Sequence, residues 1–120
     1  MDFQSQVTFL KRKLEVDPGF VISENGCHLY NGTIRADGYC HITYINEVNS
    51  YTSISAQRAA LVVKDARKLP KLQASHLCHV KNCINTAHLS LESNVINQQR
   101  KRCVFLNRCQ GHPGYAACII

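Results

Sequence analysis

Two stretches of the chain place apolar residues at the spacing of an amphipathic helix. In the first, apolar positions follow at steps of four, three and four while basic residues take the other side, and Asp17-Pro18-Gly19 ends the pattern. The second begins at Ser55, a residue suited to an N-cap, and stops before Pro70. The sequence therefore predicts one helix within residues 1–17 and another after Ser55, with these positions buried: Phe3, Val7, Leu10, Leu14, Ala59, Val62, Val63 and Ala66.

Short apolar runs broken by turn residues predict antiparallel strands. The turns Ser23-Glu24-Asn25-Gly26 and Ala36-Asp37-Gly38 favour hairpins, so residues 27–35 should pair with residues 39–45. Residues 73–77 and 88–91 flank a loop as two further strands, and Ser93 then caps a helix. This order predicts an α+β fold in one domain, with an N-terminal helix (1–17), antiparallel strands (20–54), a strand–loop–strand–helix unit (72–102) and a final loop (103–118).

Most of the seven cysteines fall in two short clusters with histidine. Cys78, Cys83 and His88 lie within eleven positions, a spacing of thiolate and imidazole ligands that is typical of closed tetrahedral zinc sites. A second set lies in a glycine- and proline-containing stretch that cannot bury much by itself and needs a cross-link: Cys103, Cys109, His112 and Cys118. The odd cysteine count and the lack of a signal peptide argue against a disulfide-rich secreted protein. We therefore expect two structural zinc ions in an intracellular protein, nuclear or cytoplasmic.

A histidine and an asparagine flank the first cluster. His76 precedes it, and Asn97 lies one turn into the helix that Ser93 caps, so a strand–loop–strand–helix order places both on the same side of the unit. There a neutral imidazole can act as general base while an amide oxygen holds a hard cation such as Mg²⁺. His79 is the competing base, although it would point to the opposite face of a strand.

The candidate base, the three candidate zinc ligands and the candidate metal-binding asparagine lie in one continuous stretch of the chain. Its characteristic residues are Ser75-His76-Leu77-Cys78-His79, Cys83, Asn85, His88-Leu89, Glu92-Ser93 and Asn97. This string resembles the His-Cys box homing endonucleases, which belong to the His-Me finger (ββα-metal) nucleases. The second cluster also resembles the second zinc site of that family. Thr86 stands where the family often has proline, and the family's dimerising C-terminal tail is absent after Cys118, which leaves the oligomeric state open.

The resemblance implies a role for individual residues. His76 would deprotonate the attacking water, Asn97 would ligate a single catalytic Mg²⁺, and Arg58 would neutralise charge at the scissile phosphate. It also implies that an upstream cysteine completes the first zinc site. We prefer Cys40, which follows a Gly-Tyr pair, over the competing Cys27.

The formal net charge of +6 favours an anionic partner, and nucleic acid is the obvious candidate. The resemblance implies a Mg²⁺-dependent endonuclease that hydrolyses phosphodiester bonds in DNA, with double-stranded DNA as the expected substrate. The alternative is a zinc-stabilised module that binds nucleic acid without cutting it. No stretch approaches the roughly 18 consecutive apolar residues that a membrane span requires, so no membrane partner is expected.

Overall fold

The structure, a computed structural model, describes residues 1–119. Its helices and strands follow the order α1 (Phe3–Glu15), β1 (Phe20–Ile22), β2 (His28–Tyr30), β3 (His41–Ile45), β4 (Tyr51–Ser55), α2 (Ala56–Asp65), β5 (Gln73–His76), a 3₁₀ turn (Thr86–His88), β6 (Leu89–Glu92) and α3 (Asn94–Leu106). The predicted α+β class is confirmed. None of the helices within residues 1–119 is both long enough and apolar enough to cross a membrane.

The first two helices form where the apolar pattern predicts them. The Asp2 carboxylate caps α1 by accepting a hydrogen bond from the Ser5 amide at 2.7 Å, and Ser55 caps α2. Helix α2 ends before the predicted stop at Pro70, because Ala66 adopts a left-handed conformation with φ at 51°. The two helices pack against each other and against β3, and their apolar faces supply much of the core.

The six strands form three separate antiparallel hairpins, β1–β2, β3–β4 and β5–β6. Within residues 1–119, the predicted pairing of residues 27–35 with residues 39–45 is confirmed only beside the turn, where Ile34 and Cys40 form an isolated bridge and the Arg35 amide donates to the Tyr39 carbonyl oxygen at 2.8 Å. Strand β2 ends at Tyr30, whose ring lies against Gly32 so closely that a side chain at Gly32 would run into it. Beyond β2 the chain leaves this hairpin, and β3 pairs with β4.

The C-terminal half has the predicted strand–loop–strand–helix order. Strands β5 and β6 pair directly, with Ser75 opposite Ser90 and His76 opposite Leu89. The Ser93 hydroxyl then accepts a hydrogen bond from the Ile96 amide and starts α3, which packs against β5. Helix α3 continues to Leu106 and so extends four residues into the stretch predicted as a loop.

Candidate metal centres and catalytic cleft

The first cysteine–histidine cluster consists of Cys27, Cys78, Cys83 and His88, whose ligand atoms all lie within 4.8 Å of one another. The Nδ1 atom of His88 is 3.6 Å from the sulfur of Cys27 and 3.7 Å from that of Cys83. In a tetrahedral site with ordinary zinc–sulfur and zinc–nitrogen bond lengths, a sulfur and a nitrogen ligand are about 3.6 Å apart. The four residues therefore fit a structural zinc ion.

Cys27 completes this cluster, which corrects the preference for Cys40. The turn before Cys27 is closed by the Gly26 amide, which donates to the Ser23 carbonyl oxygen at 3.0 Å, and the hairpin then brings Cys27 beside the metal loop. Cys40 is fully buried in the apolar core, with its sulfur 4.0 Å from the carbonyl oxygen of Gly32. Within residues 1–119, Cys40 contributes to neither cluster.

The second cluster brings together the four residues predicted for it, Cys103, Cys109, His112 and Cys118. The Nε2 atom of His112 is 3.4 Å from the sulfur of Cys103 and 3.5 Å from that of Cys118, which again matches tetrahedral zinc. Two backbone amides, from Gln110 and Cys118, donate to the sulfurs of Cys103 and Cys109 at 3.3 Å. Such donors stabilise thiolate ligands, so this cluster fits a second structural zinc ion.

The cysteine thiols within each cluster differ in pKa. The hydrogen bond from Cys78 lowers the pKa of Cys83 to about 4, and the same bond raises the pKa of Cys78. In the second cluster burial raises the pKa of Cys118 to about 11, while the backbone hydrogen bond from residue 118 lowers the pKa of Cys109. Because zinc takes thiolate ligands, binding at either cluster should release protons and strengthen as the pH rises.

His76 is held by the first cluster through the main chain. Its Nε2 atom lies 2.9 Å from the carbonyl oxygen of Cys83, the residue whose sulfur belongs to the metal cluster. A carbonyl oxygen can only accept, so Nε2 carries the proton and Nδ1 is the free basic nitrogen. The Tyr39 ring stacks against the imidazole with 6.1 Å between centroids, and burial lowers the pKa of His76. These contacts orient a neutral imidazole.

His76 and Asn97 line one cleft, with a volume of about 620 Å³. The amide of Asn97 is the kind of oxygen donor that suits Mg²⁺, and its Oδ1 atom lies 2.8 Å from the Ser75 hydroxyl. The cleft is lined by more basic than acidic side chains, since Lys81, Lys101 and Arg100 face it together with one carboxylate among the described residues. Its full lining is Asp37, Tyr39, His41, Ser55, Gln57, Gln73, Ala74, Ser75, His76, His79, Lys81, Asn97, Arg100, Lys101 and Val104.

Arg58, the predicted third catalytic residue, does not line this cleft. Its guanidinium donates to the carbonyl oxygens of Leu72 at 2.6 Å and Pro70 at 2.7 Å. The preceding residue, Gln57, lines the cleft instead, because neighbouring residues on a helix point about 100° apart. The phase of α2 therefore places Arg58 outside the cleft that His76 and Asn97 line, which argues against the role predicted for it.

A buried ion pair between Glu92 and Arg100 is the main feature that sequence reasoning missed. The two side chains are 0 % and 2 % exposed, and the guanidinium contacts the carboxylate through Nε at 2.5 Å and Nη2 at 2.9 Å. Arg100 also donates to the carbonyl oxygen of Ala116 at 2.8 Å and to the sulfur of Cys118 at 3.3 Å. Removing one partner of such a pair typically costs about 3–5 kcal/mol. In the sequence, Arg100 reads as one member of a solvated basic run.

Comparison with known proteins identifies the family. No curated protein and no solved structure matches the chain significantly. The family described as the zinc-binding loop region of homing endonuclease matches residues 8–118, a span that contains both metal clusters and every residue that lines the cleft. The resemblance found in the sequence is thereby confirmed, and the chain belongs to the family of homing endonuclease zinc-binding loop regions.

Proposed function

We propose that this protein is a Mg²⁺-dependent endonuclease that hydrolyses phosphodiester bonds in double-stranded DNA. The observation that supports this function best is the cleft shared by His76 and Asn97, in which the Cys83 carbonyl oxygen holds the imidazole. Membership of a family named for homing endonucleases agrees with a nuclease-related function. The positive net charge favours a polyanionic substrate.

His76 is the proposed general base. Its Nε2 proton is directed to the Cys83 carbonyl oxygen, so Nδ1 takes the proton from the attacking water. Because burial lowers the pKa of His76 below its ordinary value of 6.5, the imidazole is neutral and able to accept that proton at neutral pH. Tyr39, stacked on the ring, keeps the imidazole from rotating out of line.

Asn97 is the proposed ligand of the catalytic cation, through its side-chain oxygen. A bound Mg²⁺ supplies electrostatic stabilisation of the charge that develops on the phosphate and on the leaving oxygen. One neutral protein ligand binds such a cation weakly. We therefore expect the cation and the DNA, whose phosphate supplies further oxygen ligands, to bind together.

The remaining residues of the site hold the substrate and the base in place. Lys81 and Lys101, which line the cleft, are suited to contact the phosphate backbone, so binding should weaken steeply as salt rises. The two zinc sites, with the ligands described above, would contribute folding free energy. The first also fixes the Cys83 carbonyl oxygen against His76.

Nicking of supercoiled plasmid by the zinc-loaded protein tests this function. We compare wild type with His76→Ala and with the matched variant His79→Ala, each with and without added Mg²⁺. We expect Mg²⁺-dependent nicking that falls about 10²- to 10⁴-fold in His76→Ala, the usual contribution of a general base. His79→Ala should retain most of the activity, and zinc content should stay at two per chain in all three proteins.

Two results would overturn the assignment. Equal loss in both histidine variants would remove His76 from its role as the base. No cleavage of plasmid, single strands or RNA by the wild type, together with salt-dependent DNA binding, would instead identify a zinc-stabilised module that holds nucleic acid without cutting it.

A further inference from the structure

Each sulfur of the second metal cluster accepts a hydrogen bond from one N–H group. The backbone amide of Gln110 donates to the sulfur of Cys103 at 3.3 Å, and that of Cys118 donates to the sulfur of Cys109 at the same distance. The sulfur of Cys118 accepts from a charged side chain, through Nη1 of Arg100, again at 3.3 Å. A guanidinium therefore takes the place beside Cys118 that a backbone amide takes beside the other two sulfurs.

Arg100 is held firmly in this position. Its Nε and Nη2 atoms donate to the two carboxylate oxygens of Glu92 at 2.5 and 2.9 Å, and Nη2 also donates to the carbonyl oxygen of Ala116 at 2.8 Å. A guanidinium has five N–H groups, and these contacts together with the one to Cys118 occupy four of them. Because the side chain is only 2 % exposed, water competes little for these bonds.

The charges around Arg100 explain why a cation is needed there. Three thiolates of charge −1 and one Zn²⁺ leave the filled second cluster with a net charge of −1. Glu92 brings a second negative charge that is fully buried, and Arg100 lies between the two. A buried charge is costly unless it is paired, so one guanidinium compensates both the carboxylate and the filled cluster.

The first cluster lacks this arrangement. Within residues 1–119, no lysine or arginine donates to a sulfur of that cluster, and the polar side-chain contacts of its sulfurs are those with His88. A change at Arg100 should therefore act on the second cluster alone.

We propose that Arg100 is a positioning residue of the second zinc centre, which holds the Cys118 sulfur as a thiolate ligand and joins that centre to Glu92 at the end of β6. Arg100 supplies no zinc ligand itself. It raises the zinc affinity of the second centre through the sulfur that it contacts. Because Asn97 lies one turn before Arg100 in α3, the same contact ties the second centre to the helix that forms one wall of the cleft.

Arg102 provides a matched control. It lies two residues further along α3, its side chain is exposed, and within residues 1–119 it makes no hydrogen bond to either cluster. Arg100→Lys keeps the positive charge, but a single nitrogen cannot reproduce the fork that spans the carboxylate and the sulfur. Arg102→Lys makes the same replacement where there is no such contact.

The test measures zinc dissociation constants of the full chain by competition with a chelator of known affinity. We expect Arg100→Lys to weaken zinc binding at the second cluster about 10- to 100-fold, the usual effect of losing a group that supports a metal ligand, and Arg102→Lys to leave it unchanged. In the Cys109→Ser background, which keeps only the zinc ion of the first cluster, Arg100→Lys should change the dissociation constant less than about twofold. Equal weakening in the two lysine variants would overturn the proposal. Loss of both zinc ions and of the native circular dichroism spectrum in Arg100→Lys would also overturn it, because Arg100 would then support the whole fold.

Replacement of zinc by Co²⁺ tests the contact with the sulfur directly. A hydrogen bond lowers the energy of the sulfur electrons, so its loss should move the sulfur-to-cobalt charge-transfer absorption to longer wavelength. Arg100→Lys should show this shift and Arg102→Lys should not, and the unchanged first cluster cancels in the difference spectra. Identical charge-transfer spectra in wild type and Arg100→Lys would refute the proposed contact.

Discussion

The two metal clusters have the same ligand set but different positions in the fold. The first joins Cys27, which follows a turn, to His88, 61 residues later in the chain, and two of its four ligands are buried. The second takes all its ligands from the end of α3 and the segment that follows, within sixteen residues. Both have sulfur–nitrogen separations of 3.4–3.7 Å. Similar local geometry therefore serves a long-range cross-link in one case and a local one in the other.

Each cluster also contacts the cleft by a different route. The first reaches His76 directly, through the carbonyl oxygen of Cys83. The second reaches the cleft through Arg100, which joins Cys118 to the buried Glu92. Loss of the first cluster should therefore affect both the fold and the position of His76, the proposed general base. Loss of the second cluster should leave most of the fold intact and disturb the cleft less than loss of the first cluster does.

The largest expected effect is that of Cys27→Ser. Loss of this ligand opens the long-range cross-link, and zinc binding in small domains contributes about 10–16 kcal/mol, comparable with the whole stability of a typical domain. We expect bound zinc to fall from two ions per chain to one, with loss of cooperative unfolding in circular dichroism. Cys40→Ala is the control and should retain two zinc ions. Zinc lost from Cys40→Ala but kept in Cys27→Ser would reverse the ligand assignment.

A smaller effect is expected for Cys109→Ser. The second cluster closes a loop of about fifteen residues within one segment, so its loss should release mainly the entropy of that loop, about 3 kcal/mol for a disulfide of the same length. We expect one zinc ion per chain, an unfolding free energy in urea lower by about that amount, and a native far-ultraviolet spectrum. Unfolding as complete as that of Cys27→Ser would show that the second cluster is as central to the fold as the first.

Chelation should distinguish the two clusters in the unmodified protein. Both clusters have two buried and two half-buried ligands, but the second lies within one short segment, whereas the first joins Cys27 to His88 across 61 residues of the fold. A metallochromic chelator should therefore take up about one zinc ion quickly and the other slowly, because the slow ion requires wider opening of the fold. The fast phase should be missing in Cys109→Ser, and its persistence there would reverse the order of release.

Arg58→Ala, outside both clusters and the cleft, should have the smallest effect. Its guanidinium is exposed and donates to two backbone carbonyl oxygens, so we expect a stability change of about 1 kcal/mol or less. Plasmid nicking should stay within about twofold of the wild-type rate. A hundredfold loss of nicking would return Arg58 to the catalytic site.

Residues whose neighbours lie close in the sequence were predicted well. The N-caps at Ser55 and Ser93 depend on contacts within one turn, and the β5–β6 hairpin and the second cluster depend on contacts within about twenty residues. Few backbone conformations are possible over such short distances, so the sequence pattern specifies these contacts well. The same reasoning placed His76 and Asn97 beside one cleft.

The chemistry of this protein was readable in its sequence: all but one of its thiolate and imidazole ligands, the His76–Asn97 pair, the positive charge and the family. Three features became visible only in three dimensions: Cys27 takes the place predicted for Cys40, Gln57 lines the cleft where Arg58 was expected, and Arg100 pairs with Glu92. These outcomes depend on hairpin register, helix phase and burial. Each of these is set by packing between segments far apart in the chain, which local spacing does not specify.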